Sequence, residues 1–173
     1  ELLILDEAWD VCLSTSEDVE QKIGLPYLGL VPQLTSVAPE AKNRWPFDYI
    51  VDNPLSAFGE LVRSLKTSIV ATRAGVRPKT VTVTSALPSE GKTTASICIA
   101  RVSAQMGQKT VLLDCDVRRR NIIRAIGFEP SVGLLELLDG SATLDQVLVH
   151  EEGTGLYLLP LASTGFGPKD AFG

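Results

Sequence analysis

A chain of 173 residues with 45% apolar and 21% charged side chains is long enough to bury one hydrophobic core and does not require two. Its formal net charge of −5 offers no overall basic field to a phosphate backbone, which argues against nucleic acid as a partner. No apolar run reaches the roughly 18–20 residues that cross a bilayer, and no secretory-type leader opens the chain. Cys12, Cys98 and Cys115 are scattered outside any metal-type spacing and read as reduced thiols of an intracellular protein.

Residues 1–13 are apolar over a broad face and compatible with a helix. Residues 16–24 read as a short capped helix, with Ser16 as N-cap, acidic residues in the first turn and Gly24 as the stop. Residues 25–32 suggest a short strand between prolines at a sheet edge. Residues 33–52 have little periodicity and read as loop or linker. Asn53-Pro54 then opens the clearest helix, with Leu55, Phe58, Val62, Leu65 and Ile69 as its apolar stripe and Gly75 as its stop. Glu60 and Arg63 fall away from the stripe and Lys66 lies nearer its flank. Taken alone, these charges are a solvated face whose i,i+3 pairs contribute a few tenths of a kcal/mol each.

The β-branched run 80–85 predicts a strand, and residues 86–94, Ala-Leu-Pro-Ser-Glu-Gly-Lys-Thr-Thr, lead from it into a helix over 92–106 that ends at Gly107. Strand, small-residue loop and helix in that order form the setting of a phosphate loop. There, backbone N–H groups and the helix N-terminus surround a polyphosphate. Lys92 would reach the β/γ oxygens and the Thr93 hydroxyl would hold Mg²⁺. Ala86 replaces the first glycine of the G-x-x-x-x-G-K-[ST] pattern. Residues 109–114 read as a second, buried parallel strand ending in Asp114-Cys115-Asp116 and three arginines. Carboxylates at that end of a parallel strand can hold Mg²⁺ or take a proton from an attacking hydroxyl. They can equally cap the next helix or pair with the arginines. Short helices are expected at 122–126, 133–140 and 143–149 and a third strand at 156–160, with His150 incidental between a helix and a loop. The expected fold is α/β and P-loop NTPase-like, a mostly parallel sheet with helices on both faces and an incomplete edge.

With these elements placed, residues 16–162 resemble the cytoplasmic kinase domain of the bacterial protein-tyrosine kinases (BY-kinases) of capsule and exopolysaccharide export. Residues 85–94 are similar to that family's Walker A sequence, where alanine at the first position is usual. The resemblance implies ATP with Mg²⁺ at Ala86, Pro88, Ser89, Glu90, Gly91, Lys92, Thr93 and Thr94. Residues 111–119 are similar to the family's second motif, D-x-D-x-R. This implies metal binding by Thr93 and Asp114, and activation of a tyrosine hydroxyl by Asp114 and Asp116 alongside Lys92. Glu60, Arg63 and Lys66 resemble an E-x-x-R-x-x-R helix that docks on a neighbouring subunit, with Lys66 in place of the last arginine.

The implied organisation is a juxtamembrane-like lead-in and linker over 1–52 and the P-loop kinase domain over 53–173. The implied partners are further copies in a ring, a membrane chain-length-determinant region in cis or in trans, and tyrosine-bearing protein substrates, at the cytoplasmic face of the inner membrane. Within 173 residues neither a Walker B strand nor a C-terminal tyrosine cluster is found, so this piece alone is expected to be impaired. Two other readings compete: a nucleotide-sensing module without kinase turnover, and a ParA/MinD-type ATPase. The latter class carries a second loop lysine at the position of Leu87.

Overall fold

The computed structural model describes residues 15–71, 78–116 and 119–162. The helix expected over 1–13, the stop at Gly75, and the tail beyond Ala162 lie outside the described residues. Contacts divide the chain into two units, 1–30 and 31–173.

In the first unit, helix α1 (Ser16–Ile23) starts one residue earlier in its capping than expected. Thr15, not Ser16, is the cap: its Oγ1 accepts from the Asp18 N–H at 3.1 Å, and Asp18 Oδ2 accepts from the Thr15 N–H at 3.1 Å. Gly24, at φ 72°, closes the helix as expected. Residues 25–30 form no strand, correcting the edge-strand reading; Leu25 and Leu30 are exposed, and among the described residues no backbone pairs with them.

The second unit begins with the stretch expected to be loop. It is helical instead: α2 (Leu34–Val37), a 3-10 turn (Pro39–Ala41) and α3 (Pro46–Asp52). Its elements are too short for periodicity to register, yet they bury Leu34, Ala38, Ala41, Phe47, Tyr49 and Ile50 in the main core. Helix α4 (Ala57–Ala71) starts later than Asn53-Pro54 suggested. Asn53 ends α3, its Nδ2 donating to the Tyr49 carbonyl at 3.2 Å, while Ser56 Oγ accepts from the Gly59 N–H at 3.1 Å and caps α4. Leu55 therefore precedes the helix and is exposed, whereas Phe58 and Val62 are buried.

Helix α5 (Lys92–Gln105) is the centre of the unit. It packs on α3, α4 and the sheet, with Ile97, Cys98 and Val102 on the α3/α4 side and Ala100 and Ala104 against Leu156 and Leu158. Gly107, at φ 80°, turns the chain into β1 (Val111–Leu113). Helices α6 (Asn121–Ile126), α7 (Leu134–Leu138) and α8 (Leu144–Val147) follow close to the expected positions. Strand β2 (Val149–Glu151) was not expected, and it places His150 on a strand, its ring 4.8 Å from that of Tyr157. Strand β3 (Leu156–Leu159) is the expected third strand.

The sheet order is β1-β3-β2, with β1 parallel to β3 and β2 antiparallel to it. Side chains alternate across a strand, so Leu158, packed on α5, and Leu159, packed with Val147 near α7 and α8, place helices on both faces. Gly133 passes so close to the Pro160 carbonyl that it leaves no room for a Cβ, and the Leu134 N–H donates to that carbonyl at 2.8 Å. Residues 80–85 are not a ladder strand, contrary to expectation: β-branched residues favour extended backbone, but a strand needs a second backbone to bond, and none of the described strands lies alongside.

Candidate functional site

Residues 86–91 are exposed and lead directly into α5, whose first residue is Lys92. Gly91, at φ 86°, supplies the left-handed turn that starts the helix, and its carbonyl accepts from the Ala95 N–H at 2.8 Å. Ser89 is left-handed too, at φ 67°. Neither Lys92 nor Thr93 has a side-chain hydrogen bond or ion pair among the described residues. Among the described residues the ammonium and the hydroxyl are thus uncommitted, beside the amide-rich start of a 14-residue helix.

Asp114 stands at the end of β1. Helix α5 packs on β1 and is joined to it by residues 106–110, so the helix runs back along the strand. The loop and Asp114 therefore lie at the same end of this layer. Asp114 is 2% exposed. Its Oδ1 accepts from the Asp116 N–H at 3.0 Å, while its Oδ2 is buried with no hydrogen-bond partner among the described residues. Burial pushes the Asp114 carboxyl above its ordinary range, opposed by the Asp116 N–H that bonds it, by the Ile122 N–H dipole nearby and by the Arg120 charge.

Asp116 is engaged differently: its Oδ1 accepts from the Arg119 N–H at 3.1 Å and its carbonyl from the Arg120 N–H at 2.9 Å, so it caps the turn before α6. Arg120 holds a left-handed backbone at φ 49°. The two non-glycine residues with positive φ among those described, Ser89 and Arg120, thus fall in the two segments singled out for chemistry. Val117 and Arg118 lie outside the described residues.

The raised Asp114 carboxyl gives a pH test. Above the ordinary value of 3.8 the unfolded chain ionises first, so the folded state holds the extra proton and this residue's contribution to stability falls as pH rises toward the shifted value. Asp114→Asn removes that slope and raises the melting temperature at neutral pH, by the equivalent of about 1–3 kcal/mol if the whole penalty of the unpaired oxygen is relieved. Melting curves of both chains between pH 4 and pH 7 check it; parallel curves count against an ionised, buried Asp114.

A metal fits this arrangement only in part through protein groups. Asp114 Oδ2 offers one unused buried oxygen and Thr93 one unused hydroxyl, and no group of three metal-ligating side chains occurs among the described residues. Few protein ligands with the remainder from phosphate and water is the coordination Mg²⁺ accepts.

Glu60, Arg63 and Lys66 lie apart from this end of the layer. Arg63 Nη2 is 2.7 Å from Glu60 Oε1, and that hydrogen bond and charge hold the exposed Glu60 carboxyl below its usual range. Arg63 borders an open groove with Met106 and Glu152, beyond the C-terminal end of α5. Lys66 is turned to the buried side, 9% exposed.

One residue that the sequence reading passed over organises the unit. Arg101, 6% exposed in the middle of α5, donates from Nη1 to the Phe47 carbonyl at 2.6 Å and to Asp48 Oδ1 at 2.8 Å. Nη2 and Nε reach Glu151 at 2.6 and 3.1 Å. The guanidinium also lies over the Phe47 ring, 5.5 Å from its centroid. A lone arginine inside the small-residue run Ile-Ala-Arg-Val-Ser-Ala was the available signal.

These features define a P-loop α/β domain with an acidic strand end beside the loop. No family model matches the chain. It is 33% identical over 111 residues to the succinoglycan biosynthesis transport protein ExoP of Rhizobium meliloti, an alignment that covers 64% of this chain and 14% of that protein. It is 35% identical over 100 residues to the tyrosine-protein kinase etk of Escherichia coli, covering 58% of this chain and 14% of that one. The septum site-determining protein MinD of Escherichia coli is 40% identical over 87 residues, covering 49% of this chain and 32% of MinD. Among solved structures, the kinase domain of Escherichia coli ETK superposes with a TM-score of 0.72 at 26% identity, over 91% of this chain and 64% of that one. The chimerical protein CapA2B2 gives 0.68 at 26%, over 90% and 63%. The chain is related to the bacterial tyrosine kinases, the BY-kinase class, and spans a small part of the length of the curated relatives it matches.

Proposed function

We propose that the chain carries the nucleotide-binding elements of an ATP-dependent protein-tyrosine kinase that regulates exopolysaccharide or capsule polymerisation and export. The observation that carries this reading is the pairing of an uncommitted Lys92 and Thr93 at the start of α5 with a buried, half-satisfied Asp114 at the same end of the layer. Phosphoryl transfer asks mainly for positioning and charge neutralisation. Loop amides from Ser89 to Thr94 and the Lys92 ammonium hold the phosphates, with Ala86 and Pro88 shaping the approach. Thr93 and Asp114 hold Mg²⁺, which when bound neutralises phosphate charge. One carboxylate of the Asp114–Asp116 pair takes the single tyrosine proton as the phenol oxygen attacks. In this reading the helices of 31–52 belong with the P-loop unit, so the lead-in shortens to the first 30 residues.

The proposed setting is the cytoplasmic face of the inner membrane, with a chain-length-determinant region in cis or in trans and further copies docked through Glu60 and Arg63; Lys66, expected with them, is buried and does not face such a partner. No helix among the described residues is long and apolar enough to cross a membrane. The MinD likeness favours a partition-type ATPase as the second reading, against which stands Leu87 at the position of that class's second loop lysine. Incubation with Mg-ATP separates the readings: phosphotyrosine supports the kinase. Nucleotide-dependent dimers releasing free phosphate support the partition ATPase, and tight binding without turnover supports a sensor.

A thiol reporter checks the site's location. Cys98 is buried and its thiol is pushed up to about 12, so it resists alkylation, whereas Cys115, between the two aspartates, is exposed to reagent. In a Cys12→Ser chain we expect one accessible thiol, and severalfold slower labelling of it with Mg-nucleotide bound. Equal rates with and without nucleotide place the ligand elsewhere.

A further inference from the structure

Glu90 stands inside the phosphate loop, yet a carboxylate repels phosphate. What it touches gives it a different task. Glu90 Oε2 accepts from the Leu87 N–H at 2.9 Å, spanning the turn at Pro88 and Ser89. On the other polar group of the same residue, Ser85 Oγ donates to the Leu87 carbonyl at 2.9 Å. Pro88 and Ser89 form a turn, and beyond it residues 86–90 make no backbone–backbone hydrogen bonds of regular geometry to the described remainder of the chain. These two side-chain bonds therefore reinforce the turn of an exposed loop that has little other fastening. Glu90 itself is flanked by the left-handed Ser89 and Gly91, at φ 67° and 86°. Serine pays a conformational cost there that glycine does not, and such a conformer persists when its surroundings hold it.

We propose that Glu90 is a positioning residue for the nucleotide: its bond to the Leu87 N–H locks the left-handed turn at Ser89, so that the following amides are already set for phosphate. Folding the carboxylate back onto Leu87 also occupies its charge within the loop. The role rests on the nucleotide reading of residues 86–94. It assigns Glu90 to shaping the loop, where the family resemblance had placed it among residues that contact the ligand.

The test uses the 173-residue chain and a fluorescent Mg-ADP analogue. Glu90→Ala removes the tie and is expected to weaken binding about tenfold, the equivalent of one hydrogen bond to a charged group. Glu90→Gln keeps an acceptor oxygen of the same reach and is expected to stay within about threefold of the wild type by that same comparison. A purely electrostatic role moves both variants together toward tighter binding and overturns the proposal. So does a Glu90→Ala chain that binds like the wild type. A wild-type chain that binds no nucleotide overturns the nucleotide reading itself, and this role with it. An amide spectrum supplies a readout independent of nucleotide: the Leu87 N–H resonance shifts in Glu90→Ala and stays near its wild-type position in Glu90→Gln. A Leu87 resonance that is unmoved in Glu90→Ala, or moves equally in both variants, overturns the tie.

Discussion

Under the proposed kinase reading, replacing Lys92 with methionine is expected to lower Mg-nucleotide affinity and nucleotide-dependent phosphotyrosine by about two to three orders of magnitude. The estimate follows the loss of one preorganised group aimed at developing phosphate charge. Methionine keeps the unbranched apolar stem and the helix propensity of lysine, so α5 starts as before. Lys92 is half-buried and has no partner among the described residues, so the folded state loses little, within about 0.5 kcal/mol. The expected signature is thus an unchanged melting temperature with lost affinity. A Lys92→Met chain that binds Mg-nucleotide as the wild type does would remove the loop from the site. Arginine is not an equivalent replacement, because its planar fork cannot present the compact charge of an ammonium at the loop.

The opposite signature is expected at Arg101, where stability is at stake and no contact with the nucleotide loop is involved. Arg101→Met deletes the donors that satisfy the Phe47 carbonyl and Glu151, whose side chain is 19% exposed. Leaving a largely buried carboxylate unpaired costs about 3–5 kcal/mol. The Asp48 arm adds little, since that side chain is 48% exposed and solvent screens it. Glu151 also accepts from the Thr154 hydroxyl, whose oxygen in turn takes the Leu156 N–H at 3.2 Å, so the disturbance reaches the β2–β3 turn. At about 2–4 °C per kcal/mol for a chain of this size, the melting temperature falls on the order of 10 °C. Removing both charges, in Arg101→Met with Glu151→Met, should recover part of that loss, because a buried pair replaced together by apolar groups is often near neutral. A single variant that melts with the wild type would show that the cluster is incidental to stability.

Much of the site is local in sequence, and for that reason it was legible. The loop, its closing Gly91 and the helix that starts at Lys92 are consecutive, so composition and order alone indicate a phosphate cradle. Asp114 was legible for the same reason, as a carboxylate ending an apolar strand. The division of labour between the two aspartates was not. Their spacing left metal binding and helix capping open, and only the hydrogen bonds show Asp116 capping a turn while Asp114 keeps one oxygen unused. Glu90 illustrates the same limit within the loop, since its chemistry depends on which backbone group its side chain reaches.

The fold divides along similar lines. Helix α5 and the Gly107 turn follow from an unbroken helix-forming run and a glycine that tolerates positive φ. The helices of 34–52 did not follow, because segments of a single turn or two owe their stability to burial against α4 and α5 and carry no period of their own. Residues 80–85 carry a strong strand composition, but extended backbone becomes a strand only where another backbone bonds to it.

By itself the sequence determined the phosphate loop, the helix it opens and the acidic end of β1, since each rests on neighbouring residues and on intrinsic backbone preference. Tertiary structure decided which of those polar groups are committed and which are left for a ligand. It also made Arg101 the junction of α3, α5 and β2, because its partners lie 50 and 53 residues away and only packing brings them within hydrogen-bond reach.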